Sequence, residues 1–226
     1  MHSTIRNSLV TVTSFLIMVL IWKFLSMLIG ADIILPAPEV TARDFLNILQ
    51  ALDFWPIVGA TVFRGLVGFL LSCLAGIAVG LAAGFSPLVY WLLQPYLTVI
   101  RTTPVMSIIL LALIWFRTEM VPVFVAFLIA FPIICGNVIE GIRNVDRQLL
   151  EMARLYRVKG WRIVLELYLP SILPFIVAGA STAMAITWKV IVAAEILSQP
   201  PLGIGTQMQD ARIYLNTARI FAWTAV

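Results

Sequence analysis

The run from Met120 to Ile139 contains no charged residue, and neither does the run from Leu167 to Trp188. Crossing the hydrocarbon core of a bilayer takes roughly 20 mostly apolar residues. Inside that core every backbone N–H and C=O must be satisfied within the protein, which leaves helices and closed barrels. Barrel strands alternate polar and apolar residues over about ten positions, and neither run alternates. The sequence therefore predicts an all-α fold, a polytopic helical membrane protein. Its composition agrees: 62% of the 226 residues are hydrophobic and only 12% are charged, where soluble domains carry about 25% charge.

Read along the chain, about six spans emerge. The first covers Ser8 to Ile29, with Lys23 able to snorkel towards an interface. A charge (Arg6) before an apolar run also marks signal peptides, but the run continues past Trp22 and no small-residue cleavage site stands out, so it is read as a retained span. Residues 1–34 thus form a tail and first span, 35–60 an external connection, and 61–226 the core. Ala31 to Pro56 reads as a polar connection, Thr61 to Gly84 as span 2, and Phe85 to Thr103 as a bent interfacial segment. Span 3 follows from Pro104 to Phe116, and span 4 from Val121 to Ile139 with a kink expected at Pro132. Span 5 runs from Pro170 to Ile196, and Leu197 to Leu215, rich in Pro and Gly, reads as a loop. The last helix, Thr217 to Val226, is about half the length needed to cross, and the sequence reads as truncated there.

Between spans 4 and 5 lies a charged island. Glu140 to Glu166 holds six of the fifteen basic residues (Arg143, Arg147, Arg154, Arg157, Lys159, Arg162) and four of the eleven acids (Glu140, Asp146, Glu151, Glu166). Short loops rich in Lys and Arg stay on the cytoplasmic side. That puts the island, a loop at about 140–169, in the cytoplasm, leaves Ala31–Pro56 and Leu197–Leu215 outside, and returns the N-terminus to the inside. The net charge of +4 belongs to this orientation signal, and no nucleic-acid partner is expected. His2 is the single histidine, which removes most His-based catalysis and zinc chemistry. Cys73 and Cys135 fall in apolar runs and read as buried small hydrophobes. No catalytic residue and no metal site is expected.

Span 2 carries small residues at every fourth position: Gly68, Ser72, Gly76, Gly80 and Gly84. Such a stripe lets helix backbones approach closely in lipid. It suits ordinary packing within the chain, a seam in a moving bundle, or a contact between copies.

Within the island, Arg147 to Tyr156 favours a short helix. Arg147, Glu151 and Arg154 are spaced to share one face and pair, and Ala153 is small enough to admit a close neighbour. A solvated amphipathic helix with no partner would look the same. The spacing of Glu151-Met152-Ala153, Leu167 and Leu169-Pro170 distinguishes the two. It resembles the cytoplasmic loop of ATP-binding-cassette importer permeases, whose motif reads EAA, three residues, Gly, nine residues, Ile, one residue, Leu-Pro. Met152 replaces an alanine, and Arg157 replaces the motif glycine. Glycine serves where a positive φ costs other residues about 1–2 kcal/mol. Either the turn at Arg157 is right-handed, or Gly160 assumes the glycine's role.

The resemblance extends over about Leu35 to Val226. Gly65-Leu-Val-Gly-Phe-Leu-Leu, Gly76-Ile-Ala-Val-Gly80, Arg101-Thr-Thr-Pro104-Val, Val192-Ala-Ala-Glu195 and Leu202-Gly203-Ile-Gly205 are similar to segments of permeases for nitrate, aliphatic sulfonates and taurine. The resemblance implies the type I importer transmembrane fold in a bacterial cytoplasmic (inner) membrane. It implies a coupling helix around Glu151, Met152, Ala153 and Arg154, connected through Arg157, Gly160 and Pro170. It also implies separate ATPase subunits, an external solute-binding protein and a permease homodimer working by alternating access. The chain has no Gly-x-x-x-x-Gly-Lys-Ser/Thr phosphate loop, so ATP and Mg are expected on the partner ATPase and no cofactor on this chain.

Two intramembrane charges remain, Lys189 and Glu195. At six residues apart they do not face each other. Lys189 suits a solute pathway for an anion, a snorkelling role, or a pair with a neighbouring helix; Glu195 suits a structural hydrogen-bonding role. Arg64 and Arg101 read as interface anchors. A gradient-driven secondary transporter is the alternative; such proteins often show inverted repeats, and none is clear here. An intramembrane enzyme lacks the residues it needs.

Overall fold

The computed structural model describes the backbone of residues 2–226 and the side chains of residues 10–226. Helices follow one another as α1 (His2–Ile29), α2 (Pro38–Gln50), α3 (Phe54–Phe85), α4 (Pro87–Thr102), α5 (Val105–Trp115), α6 (Val121–Arg143), α7 (Arg147–Leu155), α8 (Gly160–Ile163), α9 (Leu169–Ser198), α10 (Ile204–Ile213) and α11 (Thr217–Thr224). A π-helical turn, Val164–Tyr168, joins α8 to α9. Among the described residues there is no strand. Four stretches are long and apolar enough to cross a membrane: Val10–Ile29, Phe54–Phe85, Val121–Arg143 and Gly160–Ser198. A fifth forms if α4 and α5, bent by 100°, count as one broken span. The eight-residue α11 is too short to cross.

The helices form two compact units, Gly59–Pro201 and the combination of residues up to Val58 with Leu202–Val226.

In the Gly59–Pro201 unit α6 is the hub. Half of its apolar window is buried, against 28% for α3 and 11% for Gly160–Ser198. The small-residue stripe of α3 explains part of this. A Cβ added at Gly80 would lie 2.7 Å from Val138 Cβ, and one at Gly68 would lie 2.9 Å from the Val123 carbonyl oxygen. Gly76 and Gly84 meet Ile134 and Ile142 in the same way. The Ser72 hydroxyl sits 2.7 Å from the Gly68 carbonyl and 3.1 Å from that of Phe127, within donating distance of both. So Gly68, Ser72, Gly76, Gly80 and Gly84 all face α6 of the same chain. The other side of α6 packs on α9, where Gly179 faces Asn137 and Gly141 faces Phe175.

The α4–α5 break falls at Thr103–Pro104. A residue before proline is driven from the helical region, and Thr103 is extended at φ −70°, ψ 129°. α6 continues as one helix through Pro132. The Arg101 guanidinium donates to the Pro132 carbonyl over Gly136, where a Cβ would overlap it. Arg101 is therefore tied to α6 and does not serve merely as an interface anchor.

The second unit corrects two loop readings. The supposed polar connection contains the amphipathic α2, begun by Pro38 at its first position, where a missing N–H costs nothing. The supposed Pro/Gly loop after α9 contains α10. Ile48, Phe54, Ile57, Ile204, Ala222 and Trp223 form the core of this unit, with Phe54 and Trp223 stacked at 6.3 Å. On α1, Trp22 stacks on Phe221 at 5.7 Å and donates its indole N–H to the Pro36 carbonyl at 3.0 Å. Lys23 does not only snorkel: its Nζ lies 2.8 Å from Glu39, and this hydrogen bond draws the exposed Glu39 carboxyl below its ordinary value.

Candidate functional site

The charged island folds into a short helix clamped at both ends. Asp146 caps α7, its carboxylate accepting the Gln148 N–H at 2.8 Å. At the other end Val158 N–H donates to the Ala153 carbonyl at 2.9 Å and Arg157 N–H to that of Arg154 at 3.0 Å. This is the six-to-one and five-to-two pattern that ends a helix with a left-handed residue. That residue is Arg157, at φ 51°.

Both readings of the missing glycine are thus overturned. The turn is not right-handed, and Gly160, which opens α8, does not take it over. Arg157 adopts the left-handed conformation itself. The strain, about 1–2 kcal/mol for a non-glycine residue, is offset by the two backbone hydrogen bonds that close the helix.

From Val158 the chain enters α8 almost at once. Pro170 has no N–H to offer the carbonyl of Glu166 and its ring crowds that carbonyl; the helix widens there into the π turn, with Leu169 N–H donating to Val164. No loop intervenes, and Gly160–Ser198 makes a single apolar rod of 39 residues. α7 is joined to α6 through Asn144–Asp146 and to α8 through Tyr156–Lys159.

The surface of α7 is uncovered. Leu155 is 81% exposed and Tyr156 75%; Met152 and Leu149 are also exposed, as are Glu151 and Arg154. Between α7 and α8 lies a cavity of about 280 Å³ lined by residues that include Leu149, Met152, Ala153, Tyr156 and Ile163. Arg147 and Arg154 share the neighbourhood of Glu151 but make no ion pair with it, contrary to the spacing argument. All three are solvated, where such a pair contributes little.

A second constellation lies inside the membrane-spanning helices. Glu195 of α9 is fully buried. Its carboxylate accepts from the Thr61 hydroxyl, which lies 3.0 Å from Oε1 and 2.9 Å from Oε2, and from Arg64 Nη1 at 2.7 Å. Arg64 is 11% exposed. The interface-anchor reading of Arg64 fails because α3 begins at Phe54 and not at Thr61, which puts Arg64 three turns inside the helix. Thr61 and Arg64 are the residues that sequence reasoning missed; a charge inside an apolar run, facing an acid in another, was the available signal. Lys189, also on α9, is exposed, and no carboxylate of the described residues lies within 4 Å of it.

Among the described residues no group of three His, Cys, Asp or Glu side chains could hold a metal. Near the island, Arg143 lies 3.6 Å from the centre of the Tyr90 ring, tying the end of α6 to α4.

Apolar helices thus pack around α6, and the short charged α7 lies in the chain between α6 and α8. The match to the family model for binding-protein-dependent transport system inner membrane components covers residues 74–226, and the chain belongs to that family. It is 31% identical to the nitrate import permease protein NrtB of Leptolyngbya laminosa, over 92% of this chain and 77% of that one. It is 29% identical to the putative aliphatic sulfonates transport permease protein SsuC of Bacillus subtilis, over 91% and 75%. The taurine transport system permease protein TauC of Escherichia coli is 26% identical over 91% and 76%. A chain in an inward-facing structure of the MetNI methionine ABC transporter has the same fold, with a TM-score of 0.57 at 15% identity, covering 78% of this chain and 93% of that one. The protein is an importer permease of the ATP-binding-cassette class, a multi-pass membrane protein.

Proposed function

We propose that the chain is the transmembrane subunit of an ATP-driven importer for a small anion such as nitrate, a sulfonate or taurine, and that α7 is its coupling helix. The observation that carries this reading is the uncovered α7, presenting Leu155, Tyr156 and Met152 beside Glu151 and Arg154 on a helix joined without slack to α6 and α9. An ATPase subunit docks on this face. Ala153 allows close approach, Arg157 fixes the exit angle, and Gly160 and Pro170 begin and end the stiff link to α9. ATP and Mg bind on the partner, and an external solute-binding protein delivers the solute.

Two permease copies form the pathway, which opens alternately to each side as α7 is pushed and released. The charged loop faces the cytoplasm, as does the N-terminus; α2 and α10 lie on the outer side. The relatives named for nitrate, sulfonates and taurine support the substrate class.

Uptake of labelled nitrate, ethanesulfonate and taurine in the source organism, with and without the gene, tests the reading. Loss of uptake of one or more of these anions on deletion is expected. Unchanged uptake of all three would contradict the assignment of an anionic solute. Uptake that depends on the chain but survives depletion of cellular ATP with an ion gradient maintained would indicate a secondary transporter instead.

A further inference from the structure

We propose that Lys189 is an anion-binding step within the permeation path, its ammonium receiving the nitrate or sulfonate oxygens of a solute in transit. This rests on the importer reading above and adds to it a site on the permease itself. Lys189 stands nine positions before Ser198, the end of α9, which at about 1.5 Å per residue is roughly 14 Å inside the helix end. A charge at such depth faces a bundle interior or a water-filled passage, because exposure to hydrocarbon is costly.

The face that carries it is unlike a lipid-facing surface. Ala178, Ser181, Thr182, Ala185 and Lys189 follow one another at helical spacing, and all are exposed. The four besides Lys189 are small or hydroxyl-bearing. On α5 the exposed positions are Met106, Leu110 and Ile114, large and apolar as a lipid contact requires. The α9 stripe is smaller and more polar than this, with Val177, Met184 and Trp188 exposed along its edge.

What meets the ammonium must bring its own negative charge. The acids carried by α6 and by the rod Gly160–Ser198 do not supply it. Glu195 is fully buried and held by Arg64 and Thr61. Glu166 lies roughly 35 Å away along the helix rod, and Glu140 is in the last turn of α6 beside the charged loop. A lysine is a compact charge on a flexible stem with three donors and no rigid fork. It holds an oxyanion without fixing its orientation, as a passage requires: favourable enough to enter, weak enough to leave.

The test replaces the chromosomal gene by Lys189→Met, Lys189→Arg and Lys189→Cys variants and follows initial uptake of labelled nitrate, ethanesulfonate and taurine at matched membrane levels of the protein. For each anion whose uptake is lost on deletion, Lys189→Met should lower the maximal rate at least tenfold, with less than a twofold change in half-saturating concentration. Lys189→Arg should keep at least a third of the rate. The Lys189→Cys variant should be inactive, regain transport after treatment with 2-aminoethyl methanethiosulfonate, which restores an ammonium, and not regain it with the methyl reagent.

Uptake by Lys189→Met within twofold of the parent would overturn the proposal while leaving the importer reading intact; this is the result expected of a lysine that only reaches lipid phosphates. If deletion of the gene changes none of the three uptakes, the anion reading and this site fall together.

Discussion

Arg64 and Glu195, 131 positions apart in sequence, meet at 2.7 Å between α3 and α9. The carboxylate is fully buried and the guanidinium nearly so. Thr61, one turn before Arg64, supplies a further donor to the same carboxylate. Breaking a buried pair on one side leaves an uncompensated charge and costs about 3–5 kcal/mol, whereas removing both charges is often close to neutral. Arg64→Met should therefore sharply lower the thermal unfolding temperature of the protein in detergent, and Arg64→Met with Glu195→Gln should recover most of the loss. Equal destabilisation by the double variant would show that the pair acts through something other than mutual neutralisation.

The α3–α6 contact is set by the absence of side chains on α3. A leucine at Gly80 has to displace Val138, against which even a Cβ would stand at 2.7 Å. Overpacking of this kind costs about 1–3 kcal/mol and often more, so Gly80→Leu should reduce the amount of folded protein in the membrane. Gly59→Ala, on the same helix but with nothing within 4 Å of the added Cβ, should stabilise α3 by up to about 1 kcal/mol. Detergent-extracted monodisperse yield compares the two; equal yields would show that α3 and α6 do not pack as described.

Arg157 holds a left-handed conformation that glycine adopts freely. Arg157→Gly should stabilise the end of α7 by up to about 1 kcal/mol, and Arg157→Val, β-branched at positive φ, should destabilise it by more than that. Hydrogen exchange at the Val158 amide, which donates to Ala153, reads this directly. Slower exchange is expected in the glycine variant and faster exchange in the valine variant; the opposite order would contradict the left-handed turn.

Apolar runs made the spans legible, because nothing but a helix buries so many consecutive hydrophobic residues in lipid. The short helix of the island was legible from its charge and apolar spacing. Errors arose where polar or Pro- and Gly-rich stretches were read as connections. Span 2 was read from Thr61, yet proline is tolerated in the first turn and α3 starts at Phe54, two residues before Pro56, which moved Arg64 from a helix end to the buried interior. The acidic residues of Ala31–Pro56 made that run read as a polar connection and concealed α2, and the run from Pro200 to Gly205 concealed α10, which begins at Ile204. Arg157 shows the converse. A missing glycine argued against a left-handed turn, but the hydrogen bonds that compensate for the strain are backbone groups that carry no sequence signal. Partners of Glu195 were equally hidden, since they depend on which helices are neighbours.

The central claim is that α7 docks an ATPase. Its most direct test is to purify the protein from its native membrane in mild detergent, wild type beside Glu151→Lys, and to identify what accompanies each. An ATPase subunit in stoichiometric amount with the wild type, lost or strongly reduced with Glu151→Lys while the permease remains inserted and monodisperse, is the result expected. Recovery of equal ATPase with both would contradict the role given to this face of α7, and its absence from both would contradict the importer assignment.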